Sequence, residues 1–134
     1  MTKSALLLCI CAAALSAQAI SQKEHAVFKG KKLWMWSLAV LAAGNIADIH
    51  SSWGRPEANP LLAGANGRFD GRSAGIKLGI QAPIIGFQLW RIHKTPSPNL
   101  YKSYSIANFV VGGAFGGVAI HNYRLQQSKL LFQP

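Results

Sequence analysis

Acidic residues are scarce in this 134-residue chain, four Asp and Glu against 14 Lys and Arg, for a formal net charge of +10. Charged residues of both signs make up 13% of the sequence, about half the fraction usual in a soluble domain, while 50% of the residues are hydrophobic. Cysteine is nearly absent, and the two present, Cys9 and Cys11, fall close together at the N-terminus. There is no H-E-x-x-H zinc motif, no dense basic run and no recognisable nucleic-acid motif. Nucleic acid is therefore not an expected partner, whatever the net charge. The basic residues mostly flank apolar blocks, where such charges set membrane topology and meet anionic lipid head groups. The length allows one domain.

What is present points to a membrane. Lys3, the apolar run Ala5–Leu15 and the small-residue site Ala17-Gln18-Ala19 read as a secretory signal over residues 1–19, the competing reading being an uncleaved fourth helix. Cleavage after Ala19 removes both cysteines and leaves no disulfide, thiolate nucleophile or cysteine metal ligand. Residues 20–32 form a basic polar lead-in with Lys23, Lys29, Lys31 and Lys32. The helical membrane domain, 33–121, holds three apolar blocks near 33–50, 74–90 and 105–121, each near the lower length limit for a spanning helix, and a polar tail follows at 122–134. Trp34, Trp36, Trp90, Tyr101 and Tyr104 lie at block edges, where amphipathic rings favour the lipid–water interface. The fold class is all-α, a bundle of three transmembrane helices preceded by a signal peptide or a fourth helix. A small soluble helical protein is the competing architecture. Orientation stays open, because a cleaved signal and the distribution of basic residues favour opposite sides.

Small residues recur four apart in the blocks. Gly75 and Gly79 do so in the second, and Gly112, Gly113, Gly116 and Gly117 give two overlapping G-x-x-x-G pairs in the third. In lipid, such residues let helix backbones approach one another or a partner's helices. The glycine-rich stretch is no phosphate loop, since no lysine follows it and no strand precedes it.

The polar residues are the candidates for chemistry. An up-down-up bundle brings the end of the first block, the start of the second and the end of the third to one face. There Asp48 and Lys77 reach similar depth, and an ion pair between them accounts for both charges. His50, Glu57, Asn59 and His121 fall on the same face, with Asn45 and Gln81 about a turn deeper. Two His and two carboxylates suggest an ion-handling or acid–base site. However, Asp48 and His50 diverge by about 200° around a helix, so no metal ligand set and no cofactor is assigned. Pro56 and Pro60 bound a turn in which Asn59 closes an Asx turn and Glu57 takes backbone N–H groups or pairs with Arg55 or Arg68. Asn66-Gly67 and Asp70-Gly71 read as exposed turns.

The run from Asp48 through Ser51, Ser52, Glu57, Asn59 and Pro60 to Leu61 and Leu62 resembles small bacterial membrane proteins of the DUF5658 type. The resemblance spans roughly residues 38 to 90 and implies an inner-membrane location and a multi-pass helical architecture. It carries no activity across. The expectation is a small integral membrane protein, a structural or accessory component of the bacterial envelope, with lipids and a helix-packing partner or a second copy as neighbours. The alternative is a membrane-embedded enzyme or ion-binding protein using Asp48, His50, Glu57, Lys77 and His121.

Overall fold

The computed structural model describes the backbone of residues 3–131 and the side chains of Gln18 and of residues 20–126. Among the described residues there are three α-helices and no strand: α1 (Lys3–Ser52), α2 (Gly71–Lys94) and α3 (Pro98–Leu131). The side chains of the signal-like run, of Ala17 and Ala19 and of both cysteines lie outside the described residues, as does Pro134 with the end of the tail. Of the described helices, one is long and apolar enough to cross a membrane, Pro98–Gln126 of α3. The first two blocks fall short of that standard because their apolar windows carry Ser37, Asn45 and Asp48, or Lys77, Gln81 and Gln88.

The helices outrun the apolar blocks that announce them. The basic lead-in is helical and continuous with the first block, since no proline and only Gly30 interrupts residues 20–33. Helix α2 starts at Gly71 rather than near 74, because the Asp70 carboxylate accepts from the N–H groups of Arg72 and Ser73 in a capping box. Its end at Lys94 is set by the Thr95-Pro96 step, where proline disfavours helical geometry in the residue before it. Pro98 then opens α3 at a position where a missing N–H costs nothing. Asp70 is thus a helix cap, not part of an exposed turn.

Helices α1 and α3 pack against each other along their shared length. Buried and half-buried positions of α3 include Tyr101, Ser105, Asn108, Gly112, Phe115, Ala119 and Asn122, spaced alternately four and three apart. In α1, Trp34, Ser37, Leu41, Gly44, Asp48 and Ser51 do the same, with Asn45 buried beside Gly44. This is the seam of a near-parallel helix pair, occupied mostly by small and polar residues. At its centre Gly44 meets the Gly112 carbonyl, and a Cβ on Gly112 would lie 2.8 Å from Leu41 Cα. Gly112 therefore packs as expected, but through a partner, Gly44, that no G-x-x-x-G pair marks. A Cβ on Gly75, Gly79, Gly113, Gly116 or Gly117 would meet nothing within 4 Å, so these five mediate no tight packing within the chain.

Helix α2 makes few close backbone approaches. It is held by long polar side chains instead. Lys77, Gln81 and Gln88 lie within about 40° of one another around its axis and reach Asp48, Asn45 and Trp34 of α1 respectively. Gln88 Nε2 donates to Asn108 Oδ1 (2.9 Å), Trp34 Nε1 donates to Gln88 Oε1 (2.9 Å), and Asn108 Nδ2 donates to Ser37 Oγ (3.1 Å). Trp34 and Tyr101 are consequently buried, stacking edge-to-face at 6.3 Å beside Ile92, and do not ride at an interface.

Gly112→Leu is expected to destabilise the fold by about 3 kcal/mol, because the clash is with backbone that cannot rotate away. Gly113→Ala, facing open space, should stay within about 0.5 kcal/mol. Thermal melting of both variants in one detergent separates the two outcomes.

Candidate functional site

The connection between α1 and α2 builds one end of the bundle. Gly54, at φ +73°, turns the chain out of α1, and Gly67, at φ +68°, turns it back, both in the left-handed region open to glycine. Between them the backbone pairs with itself. The Gly54 N–H donates to Phe69 O, Phe69 N–H to Arg55 O (both 2.9 Å), and Glu57 N–H to Gly67 O (3.0 Å), around a Pro56–Arg68 antiparallel bridge. Phe69 is almost fully buried against Trp53. Arg55 Nη2 donates to Asn122 O (2.8 Å) and ties this loop to α3. Phe69 and Gly64 are buried in this loop, while Asn66 and Gly67 form the exposed turn their sequence suggests, the Asn66 side chain accepting the Arg68 N–H.

Beneath it lies a pocket of about 420 Å³, lined by Asp48 and Ser52 of α1, Arg55, Glu57 and Asn59 of the loop, Lys77 of α2, and Phe115 and Asn122 of α3, among others. The structure thus brings together Asp48, Glu57, Asn59 and Lys77. It does not bring in the histidines. His50 is exposed and its Nδ1 lies 2.7 Å from the Tyr123 hydroxyl, while His121 is exposed on α3. Both reach the right end of the bundle on the wrong side of their helices. Among the described residues no three His, Cys, Asp or Glu side chains gather to hold a metal ion.

Lys77 Nζ donates to Asp48 Oδ2, with the two side chains 17% and 3% exposed. The ammonium also sits 5.2 Å from the Phe69 ring centroid and 5.5 Å from that of Phe115. A carboxylate and two aromatic faces replace the water that Lys77 gives up. Ser52 Oγ lies 3.4 Å from Asp48 Oδ1 at the same pair. Glu57 Oε1 accepts the Asn59 N–H (2.9 Å), and Asn59 Oδ1 accepts the Leu61 N–H (3.1 Å), so an Asx turn fixes Glu57 at the rim. Glu57 forms no ion pair with Arg55 or Arg68. One turn deeper, Asn45 Nδ2 donates to Gln81 Oε1 (2.7 Å), leaving Asn45 Oδ1 and Gln81 Nε2 without partners.

At the loop's far end Asp70 is held below its ordinary carboxylate range. The Ser73 backbone N–H is the main cause, opposed by burial and reinforced by the Ser73 hydroxyl and by Arg72. Phe69, Phe115 and Asn122 were not among the sequence candidates, and Arg55 and Ser52 entered only as a partner for Glu57 and as part of the run from Asp48 to Leu62. For Phe115 and Asn122 the signal was available, since both continue the four–three spacing that runs from Tyr101. Compared with known proteins, the chain matches no family model, no curated protein and no solved structure.

Two measurements test this geometry. In a double-mutant cycle on Asp48→Asn and Lys77→Met, melting in detergent should give a coupling of about 1–3 kcal/mol, whereas additive losses would show that the pair is not coupled. Asp70 carries a lowered folded-state pKa, so its contribution is present above the ordinary value of 3.8 and is lost as pH falls through the folded value. Asp70→Ala should therefore melt below the wild type at neutral pH, and the gap should close in acid.

Proposed function

We propose that this chain is a small integral protein of the bacterial inner membrane, its three helices spanning the bilayer, acting as a structural or accessory component of the envelope. The observation that carries the reading is the placement of polarity. Ser37, Asn45, Asp48, Gln88, Ser105 and Asn108 are buried along the helix seam. Meanwhile Met35, Ile46, Ile80, Ile84, Phe87, Ile106, Val110 and Ile120 are exposed on the outside. Water would reverse that arrangement, and hydrocarbon favours it. Length agrees: α2 has 24 residues, about 36 Å, against a hydrocarbon core of about 30 Å. The resemblance to proteins of the DUF5658 type supports the same location.

The open glycine faces support a helix-packing partner or a second copy. Gly75, Gly79, Ala82 and Gly86 repeat at the spacing of a packing seam on the exposed side of α2, away from Lys77, Gln81 and Gln88. A second reading, a membrane-embedded ion-binding or acid–base site, rests on the pocket holding Asp48, Glu57 and Lys77.

The tests are direct. The protein should stay with the membrane pellet through high salt and alkaline carbonate, and release by either would remove the integral reading. Replacing Gly79 and Gly86 by leucine should shift the detergent-resistant mass of an oligomer downward without lowering the melting temperature of the single chain. The second reading requires Glu57→Gln to alter ion flux or binding in proteoliposomes. No change there would remove it.

A further inference from the structure

The four acidic residues of this chain are all placed, and none of them serves Arg55 or Arg68. Asp48 is taken by Lys77, and Asp70 caps α2. Glu57 lines the pocket beneath the loop, with Asn59 on one oxygen. Glu24 lies on α1 some 28 residues before its end, about 42 Å away along the helix. On the other side of Pro56 is a second pocket, of about 630 Å³, lined by Gly54, Arg55, Pro56, Arg68, Asn122, Leu125 and Gln126. Among the described residues its lining has two arginines and no Asp or Glu.

Both guanidiniums are anchored. Arg55 Nη2 donates to the Asn122 carbonyl at 2.8 Å, and Arg68 Nη1 donates to the Gly54 carbonyl at 2.9 Å. Each is fixed by one N–H, and their remaining donors have no partner among the described residues. The antiparallel bridge pairs Pro56 with Arg68, and Arg68 and Arg55, the residue before Pro56, both line this pocket. Two anchored forks, neither in an ion pair among the described residues, match the several oxygens of a phosphate group. Leu125 and the exposed apolar surface of α3 adjoin the pocket, so an acyl chain has a place to run.

We infer that this pocket binds the phosphate of an anionic phospholipid, with Arg55 and Arg68 as its ligands and Gln126 beside it. The lipid source rests on the membrane reading above; the phosphate chemistry does not.

The test uses the full chain in a neutral detergent, followed by native mass spectrometry. The probes are short-chain phosphatidic acid, the matching diacylglycerol without phosphate, and inorganic phosphate. Phosphatidic acid should bind and diacylglycerol should not. The double variant R55Q/R68Q should weaken binding roughly tenfold to hundredfold. Arg55 also ties the loop to α3, so R68Q alone, at an exposed position, provides a variant that keeps the fold and should weaken binding by about tenfold. Equal binding of phosphatidic acid by wild type and R68Q, or equal binding of diacylglycerol, overturns the site. Arginine-dependent binding of inorganic phosphate without the lipid supports the site and rejects the lipid source. A chain that binds phosphate yet leaves the membrane in carbonate would reject the membrane reading alone.

Discussion

All three helices meet at one hydrogen-bonded junction, and the placement of α2 depends on it. Gln88 reaches between the close-packed pair to take the Trp34 indole N–H and to give its own amide to Asn108, which in turn donates to Ser37. With few close backbone approaches between α2 and its neighbours, and Ile92 as its one buried apolar side chain, its register depends heavily on side-chain hydrogen bonds. The junction supplies them, with Asn45–Gln81 and Asp48–Lys77 as further rungs. The rungs run in opposite directions along α1 and α2, as an antiparallel pair in a single register requires. Sliding α2 by one turn would break all three at once, and each lost bond would leave buried groups unsatisfied.

The rungs differ in charge. The ion pair lies about a turn from the end of α1, where the loop pocket opens, the amide pair lies a turn further in, and the neutral Trp–Gln–Asn–Ser junction lies toward the other end of α2. Two rings flank Lys77, an ammonium that has only one carboxylate. Asn45 and Gln81 are joined by one hydrogen bond where an amide pair can make two.

Much of this was legible in the residues. Apolar blocks gave the three helices, and depth arithmetic from the two helix ends placed Lys77 opposite Asp48. Helix ends were less legible, because capping by Asp70 and the continuity of residues 20–33 depend on local bonds that hydropathy does not register. A small-residue pair states that close approach is allowed, not where it occurs: within the chain Gly44 with Gly112 took the contact, while Gly113 and Gly117 faced outward. The histidines failed on angle: position along a helix sets depth, but the side it faces follows from the seam, and neither His50 nor His121 is in it. Trp34 and Tyr101 were assigned by type to an interface that their seam positions overrule.

The scarcity of acids governs the loop end of the molecule. With Asp48 and Asp70 committed to the fold, the packed loop has one carboxylate, Glu57, for its own two arginines. The β-type pairing around Pro56 sets that carboxylate in the pocket beneath the loop, while Arg68 lines the pocket on the far side. Arg55 is shared between the two pockets but points its Nη2 donor at a backbone carbonyl of α3. A flexible loop would let Glu57 swing to an arginine and neutralise it. Here Glu57 accepts the Asn59 N–H and forms no ion pair with either arginine, although it lines one pocket with Arg55. Both arginines therefore keep a charge that no direct ion pair cancels, beside Leu125 and the exposed surface of α3.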